Sequence, residues 1–190
     1  MLDAERKGRL FVLVGPSGVG KGTLRECALS NVKSLVYSIS HTTREPRKGE
    51  REGVEYHFVS RQKFEDELGR EMFLEHAVVH GDYYGTPRQN VELEMQAGHD
   101  VILEIDVQGA EQVRRILPNS VLIFIAPPSL EVLARRLRAR KTESEDKIVL
   151  RLENAKKEME QADKYRHVIV NDDLERASEE LKSVILSYRD

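Results

Sequence analysis

A glycine-rich segment near the start of the chain has the residue types and spacing to bind a chain of phosphates. The letters GPSGVGKGT follow an apolar run, LFVLV, and precede a helical pattern. Glycines let the backbone turn its N–H groups toward an anion, the following helix adds its positive end, and Lys21 supplies a mobile positive charge. This context predicts a nucleoside triphosphate site, here called the phosphate loop. It comprises Gly15, Pro16, Ser17, Gly18, Val19, Gly20, Lys21, Gly22 and Thr23.

The phosphate loop departs at one position from the common pattern G-x-x-x-x-G-K-S/T. Gly22 stands where Ser or Thr is expected, and the hydroxyl comes one residue later, at Thr23. Further along, the run VILEID places Glu104 and Asp106 on one face of a strand, where carboxylates can organise water around a metal ion. We therefore expect Mg²⁺ to be held through phosphates and water near Thr23, Glu104 and Asp106, and we assign no direct ligand.

Buried strands that alternate with helical patterns are expected to position these groups. The strands are LFVLV (10–14), DVILEID (100–106), VLIFIA (121–126) and HVIV (167–170), and a helical pattern follows each. Near-continuous apolar strands of this kind are typical of a parallel sheet with helices on both faces, so the expected fold class is α/β.

Two segments depart from the alternation, and we interpret both as insertions in one domain over residues 1–190. Residues 37–87 contain short mixed strands with tyrosines, which predicts a mostly antiparallel inserted lobe. Residues 129–160 contain an arginine series in two helical patterns. The remaining core is expected at about 8–36, 88–128 and 161–190.

Composition excludes several classes of protein and partner. The net charge of −3 gives no general attraction to nucleic acid or to an anionic membrane. A single cysteine, Cys27, excludes an intramolecular disulfide and a cysteine-based zinc site. The start of the chain lacks the pattern of a signal peptide, and no run is apolar enough to span a membrane. We expect a cytoplasmic protein with small-molecule partners, whose oligomeric state the sequence leaves open.

The phosphate loop alone does not choose among an ATPase, a GTPase, a motor and a kinase, but the inserted lobe offers a second site. Arg44 and Arg47 are three residues apart and could clamp one phosphate by bidentate hydrogen bonds. The lobe contains further polar groups on both sides of these arginines. They are Ser40, Tyr56, Glu75, Tyr83, Tyr84 and Thr86.

These motifs occur in an order that resembles the guanylate kinase family over about residues 10–185. Beside the phosphate loop, the resemblance rests on SHTTREPRKGEREGVEYHFVS (40–60), FLE (73–75), YYGT (83–86), EIDVQG (104–109), FIAPPS (124–129) and VNDDL (170–174). It implies transfer of the γ-phosphoryl group of Mg-ATP to GMP, and to dGMP as well, giving ADP and the nucleoside diphosphate. It also implies that residues 129–160 form a lid over the triphosphate.

The resemblance implies a role for each site residue. Glu75 is expected to face guanine, with Ser40, Thr86 and Glu104 nearby. The phosphate of GMP is expected to contact Arg44, Arg47, Tyr56 and Tyr84. Asp106 is expected near the transferring phosphoryl group, and Asn171 and Asp172 near adenine. Catalytic contacts are expected from Lys21, Arg44, Asp106, Arg136, Arg140 and Arg151.

The sequence departs from the family pattern at His41, Glu104 and Lys141, without loss of a group that the chemistry requires. Two alternatives stay open at this point. One is a monophosphate kinase for another base, which the pairing of Glu75 with guanine argues against. The other is a scaffold module of the same fold that binds phosphopeptides, which the intact Lys21 and glycines argue against.

Overall fold

The computed structural model describes residues 6–47, 49–79, 81–139 and 144–189. Strands and helices alternate through most of this range. The strands are β1 (Leu10–Val14), β2 (Leu35–Tyr37), β3 (His41–Thr42), β4 (His57–Phe58), β5 (Phe73–Val79), β6 (Asp82–Pro87), β7 (Asp100–Ile105), β8 (Val121–Ala126) and β9 (His167–Val170). The helices are α1 (Lys21–Asn31), α2 (Arg61–Gly69), α3 (Arg88–Gln96), α4 (Val107–Ile116), α5 (Leu130–Ala139), α6 (Glu145–Met159) and α7 (Leu174–Leu186), with a short 3₁₀ helix at Ala162–Lys164.

The larger sheet has the strand order β2-β7-β1-β8-β9 within the described residues. β1 pairs in parallel with β8, with Val12 opposite Leu122, and β8 pairs in parallel with β9, with Ile125 opposite Ile169. Every residue of β1 is buried, as its unbroken apolar sequence predicts for a strand covered on both faces. The predicted α/β class with a parallel central sheet is confirmed.

The second sheet has the order β4-β3-β6-β5 among the described strands and belongs to the inserted lobe. β6 pairs antiparallel with both β5 and β3, whereas β3 and β4 run parallel. The sheet is therefore mixed, with antiparallel pairing in the majority. Its register places Glu75 opposite Thr86, next to an irregularity between Phe73 and Glu75.

The strand β5 lies at one edge of this second sheet, and the side chain of Gln112 on α4 binds that edge. The Gln112 Oε1 atom accepts a hydrogen bond from the backbone N–H of His76 at 3.1 Å. Its Nε2 atom donates to the carbonyl oxygen of His76 at 3.0 Å. The amide thus satisfies both outward-facing backbone groups of that residue.

The helices α5 and α6 share a small apolar core of their own. Leu133 and Leu137 on α5 are buried together with Ile148 and Ala155 on α6. The side-chain oxygen of Ser129 accepts a hydrogen bond from the N–H of Val132 at 3.3 Å, which caps α5 at its start. The arginine-rich segment is therefore a packed helix pair.

The described residues group into two compact units by their internal contacts. One unit takes in residues 6–10, 36–101 and 108–120, and so contains the second sheet with α2, α3 and α4. The other takes in 11–35, 102–107 and 121–189, and so contains the phosphate loop, β8, β9 and the helices α1, α5, α6 and α7.

Candidate functional site

The phosphate loop lies between β1 and α1, and its turn requires glycine at the first position. Gly15 has φ +141°, and a Cβ atom there would lie 2.3 Å from the carbonyl oxygen of Ile125 on β8. The helix α1 then begins at Lys21. The loop is therefore pressed against the carboxyl end of the sheet, where the positive end of α1 faces it.

The ammonium group of Lys21 folds back over the loop. Its Nζ atom donates to the carbonyl oxygens of Gly15 at 2.5 Å and Pro16 at 3.1 Å. A single positive charge is thereby held beside the backbone N–H groups of the turn. This combination of point charge and backbone donors suits the outer phosphates of a nucleoside triphosphate.

A carboxylate faces the position where the common loop pattern has a hydroxyl. The Oε2 atom of Glu104 lies 3.5 Å from the point that a Cβ atom on Gly22 would take. The other carboxylate oxygen, Oε1, accepts from Nη1 of Arg25 on α1 at 2.7 Å. The side chain of Thr23 is exposed, and Asp106 follows the end of β7 and is also exposed. An acidic group thus lies next to the start of α1, in the place opened by the missing side chain of Gly22.

Three side chains from outside the loop contact its backbone or its serine. Arg136 on α5 donates to the carbonyl oxygens of Val19 at 3.3 Å and of Asn171 at 2.8 Å. Arg151 on α6 donates to the side-chain oxygen of Ser17. Asn171 donates from Nδ2 to the carbonyl oxygen of Val19 at 2.8 Å. The structure therefore brings these three predicted residues to the phosphate loop itself.

One other predicted residue does not join this arrangement. Asp172 is exposed and pairs with Arg176 on α7, with 2.6 Å between Oδ1 and Nη2. Arg140 lies outside the described residues, as does Lys141. Arg138 pairs with Glu145 at the surface, as expected for a solvated helix position.

A buried carboxylate and two hydroxyls form a connected group in the inserted lobe. Glu75 is 7% exposed, and its Oε1 atom accepts from the hydroxyl of Thr86 at 2.6 Å. The hydroxyls of Ser40 and Thr86 are 3.2 Å apart. Because the single hydroxyl proton of Thr86 goes to Glu75, Ser40 is the donor to Thr86 in this arrangement.

An arginine and two tyrosines form a second group in the same lobe. Arg44 donates from Nε to the hydroxyl of Tyr84 at 3.1 Å, and its guanidinium lies 5.6 Å from the ring centre of Tyr56. Nη2 of Arg44 also donates to Glu50 at 3.0 Å. Arg47 is exposed, and its backbone N–H donates to Glu50 at 2.7 Å. These contacts fix Arg44 as a cation with a tyrosine hydroxyl beside it, which suits an anionic ligand.

Comparison with known proteins identifies the family. The sequence profile described as guanylate kinase matches residues 7–188. The chain belongs to the guanylate kinase family. It is 51% identical over 188 residues to a guanylate kinase of Neisseria meningitidis. This alignment covers 99% of this chain and 92% of the relative. It is 46% identical over 185 residues to a guanylate kinase of Desulfitobacterium hafniense, covering 97% and 92%.

A solved guanylate kinase supports the same assignment at the level of structure. The guanylate kinase of Anaplasma phagocytophilum is 34% identical, with a TM-score of 0.78, over 97% of this chain and 87% of that one. The predicted resemblance to the guanylate kinase family and the predicted fold are thus confirmed.

Sequence reasoning missed several charged residues at these sites. Glu50 accepts hydrogen bonds from the guanidinium of Arg44 and from the backbone N–H of Arg47. Both lower the pKa of the Glu50 carboxyl group, and the N–H of Arg47 has the larger effect. Glu158 on α6 interacts electrostatically with Lys21 and Asp106. Burial raises the pKa of Glu158. Its spacing of seven from Arg151 puts both on one helix face, a signal that could have found it.

Across the described parts of the chain, no cluster of three or more His, Cys, Asp or Glu side chains is arranged to hold a metal ion. Over the same residues, no helix has both the length and the apolar character to cross a membrane.

The position of Glu104 leads to a pH-dependent prediction. Burial raises its pKa above the ordinary value of 4.5, although Arg25 and Lys21 partly offset the rise. The carboxyl group of Glu104 therefore holds its proton more tightly in the folded protein than in the unfolded chain. The contribution of protonated Glu104 to stability falls as pH rises from 4.5 through the raised pKa. We expect the stability of Glu104→Gln, relative to the unmodified protein, to increase with pH across that window. Urea unfolding without nucleotide measures it, and a difference that is flat or falls with pH contradicts the burial argument.

Proposed function

We propose that this chain transfers the γ-phosphoryl group of Mg-ATP to GMP, and to dGMP, giving ADP and GDP or dGDP. The observation that carries the proposal is the buried carboxylate of Glu75 with its hydroxyl partners, in a chain that also has an intact phosphate loop. Relatives named guanylate kinase match nearly the whole chain at 46–51% identity. ATP and GMP are cytoplasmic metabolites, and we place the reaction in the cytoplasm.

The chemistry of guanine explains why Glu75 would select it. Guanine has two adjacent donors, N1–H and the 2-amino group, and a carboxylate can accept from both. The hydroxyl of Thr86 orients this carboxylate by donating to it at 2.6 Å. Adenine has an acceptor at N1 instead, and each unsatisfied buried polar group costs about 1–3 kcal/mol. Two such failures correspond to roughly 30-fold to 10⁴-fold discrimination against AMP.

The transfer itself requires alignment and charge neutralisation more than proton transfer. The attacking oxygen belongs to a phosphate that is already anionic, so a general base is not needed. Arg44 with Tyr56 and Tyr84 would bind that phosphate, together with Arg47. Lys21 and the N–H groups of the phosphate loop would hold the donor phosphates, and Arg136 and Arg151 add positive charge on the same side.

The residues next to the loop fit a Mg²⁺ ion held through water. Mg²⁺ prefers oxygen ligands and keeps several of its waters, and the carboxylate of Glu104 lies beside the start of α1, with Asp106 at the end of β7. Thr23 offers an exposed hydroxyl in the same helix turn. A bound Mg²⁺ would neutralise charge on the phosphates.

A coupled ADP-release assay with a panel of acceptors tests the proposal. Mg-ATP is supplied with GMP, dGMP, AMP, CMP, UMP or dTMP in parallel. We expect release with GMP and dGMP at rates at least about 30-fold above those with the other acceptors. A preference for another base would replace the proposal by a different monophosphate kinase. Release without any acceptor would indicate an ATPase, and absence of ATP binding would indicate a scaffold module.

The inserted lobe offers a matched pair of arginines for testing the acceptor phosphate site. Arg61 resembles Arg44, since it donates to the hydroxyl of Tyr83 at 3.2 Å and lies 4.7 Å from that ring centre. Arg44→Met should raise the KM for GMP by about 10-fold to 100-fold, because a charge-assisted hydrogen bond to phosphate is lost. Arg61→Met should change it by less than about twofold. Equal effects of the two substitutions in initial-rate measurements would place the phosphate elsewhere.

A further inference from the structure

One peptide of the phosphate loop is held by two side chains from other elements. The carbonyl oxygen of Val19 accepts from Nδ2 of Asn171 at 2.8 Å and from Nη1 of Arg136 at 3.3 Å. Arg136 uses its other terminal nitrogen, Nη2, on the carbonyl oxygen of Asn171 at 2.8 Å. The three residues therefore form a closed set of hydrogen bonds around this carbonyl group.

Asn171 is itself fixed to the sheet. The residue is buried, with only 6% of its surface exposed. Its backbone N–H donates to the carbonyl oxygen of Ala126 at 2.8 Å, which continues the pairing of β8 and β9 by one residue. The amide that holds Val19 is thus anchored to the carboxyl end of the sheet, and it fixes the loop relative to that edge.

The direction of the Val19 carbonyl decides the direction of the next N–H. In a planar trans peptide the N–H of Gly20 points opposite to the carbonyl of Val19, and therefore away from Asn171. Gly20 has φ +101°, a left-handed conformation of the kind that aligns successive N–H groups around an anion. Rotation of this peptide would present a carbonyl oxygen to the phosphates, which would repel them.

The same contact explains why residue 20 is glycine. A Cβ atom on Gly20 would lie 2.5 Å from Nδ2 of Asn171, closer than real Cβ contacts allow. The amide of Asn171 and the bare backbone of Gly20 are therefore complementary in shape as well as in hydrogen bonding.

We propose that Asn171 is a positioning residue for the phosphate loop: its amide, with Arg136, holds the Val19–Gly20 peptide so that the N–H of Gly20 faces the donor phosphates. The proposal rests on the proposed function for the identity of the donor. It assigns the side chain of Asn171 to the loop, whereas the family resemblance alone implies a place near adenine. Its consequence is that Asn171 matters for any polyphosphate, with or without a base.

Inorganic tripolyphosphate separates the two roles because it carries no base. Asn171→Ala removes an amide that donates to a backbone carbonyl at 2.8 Å, and Asn31→Ala removes one that donates to the carbonyl of Cys27 at the same distance, 2.8 Å, but outside the loop. We expect Asn171→Ala to lower the affinity for both Mg-ATP and tripolyphosphate by about tenfold or more in titration calorimetry. Asn31→Ala should lower neither affinity. Loss of ATP affinity with unchanged tripolyphosphate affinity would assign Asn171 to adenine and overturn the proposal.

Amide resonances give a second readout, and its first part uses the unmodified protein and so does not depend on how well any variant folds. In the unmodified protein, tripolyphosphate should shift the Gly20 amide proton strongly downfield, as expected for a new charge-assisted hydrogen bond. A Gly20 amide that does not respond would overturn the proposal by itself. In Asn171→Ala the shift should shrink, while the Asn31→Ala protein should retain it. ADP release by the unmodified protein that is independent of GMP would reject the proposed function without affecting this result.

Discussion

Lys21→Ala is expected to lower kcat for phosphoryl transfer by about 10²-fold to 10³-fold, the cost of removing one preorganised group that stabilises transition-state charge. The ammonium of Lys21 is held over the loop by the carbonyl oxygens of Gly15 and Pro16, at 2.5 Å and 3.1 Å. Removing it leaves the backbone N–H groups in place but takes away the mobile charge that can follow the transferring phosphoryl group. Because that charge matters most in the transition state, kcat should fall much more than ATP affinity.

Single-turnover and steady-state ADP release at saturating GMP measure this effect. Lys182→Ala is the matched control, since Lys182 on α7 pairs with Glu179 at 3.2 Å at the surface and its loss removes an equal charge. The control should retain turnover within about twofold. Near-normal turnover in Lys21→Ala would reject the phosphate loop as the donor site. An equal fall in kcat in both variants would show that the effect comes from the change in net charge alone.

Glu75→Gln is expected to lower kcat/KM for GMP by about 10²-fold to 10³-fold with little change in the KM for ATP. The carboxamide can still accept the hydroxyl of Thr86, which lies 2.6 Å from Oε1, so the local fold is preserved. A carboxamide has a single acceptor oxygen, so it cannot accept a hydrogen bond from each of the two guanine donors on separate oxygens. Its NH₂ group would instead face one of these donors, at a residue that is only 7% exposed. The loss should therefore be specific to the acceptor.

Initial rates with varied GMP at fixed Mg-ATP, and the reverse, separate the two substrates. Glu67→Gln serves as the control, because Glu67 is another lobe carboxylate, held by the His41 ring at 2.8 Å with 16% of its side chain exposed. A similar loss of GMP use in Glu67→Gln would show that the lobe is merely destabilised. A parallel rise in the KM for ATP and GMP in Glu75→Gln would contradict the assignment of Glu75 to the guanine base.

The parts of the fold that the sequence predicts best are those with one dominant physical signal. The runs LFVLV, VLIFIA and HVIV become β1, β8 and β9 with the predicted bounds, because short unbroken apolar runs between turn residues have the length typical of strands. HVIV is less buried than predicted, since β9 is the outermost strand of the sheet and its Val168 and Val170 are 41% and 37% exposed. The phosphate loop is equally clear, since its glycines are required by the turn itself. The strand Leu35–Tyr37 is not predicted from the sequence, because a three-residue strand has too little pattern to separate it from the lobe that follows.

Pairings between charged side chains are where sequence reasoning fails. The chain has 30 Lys and Arg residues and 33 Asp and Glu residues, so nearly every helix offers a plausible solvated pair. The contact of Arg25 with Glu104 depends on how α1 packs against β7, and the approach of Glu158 to Lys21 depends on where α6 ends. Both contacts depend on tertiary packing, although the spacing of Glu158 from Arg151 does indicate a shared helix face. All the assignments of site residues to substrates stay predictions, and those of Arg47, Asp106 and Asp172 can be tested by the same kinetic measurements on substitutions at these positions.

The two hydrogen bonds between Gln112 and His76 have a consequence for solubility. An edge strand exposes backbone donors and acceptors that can recruit a strand from another molecule, and β5 carries Val78 at 61% exposure beside that edge. The amide of Gln112 imitates one residue of a neighbouring strand and ends the ladder there. A side chain from a helix thus shields the middle of the strand from the edge-to-edge association that leads to aggregation.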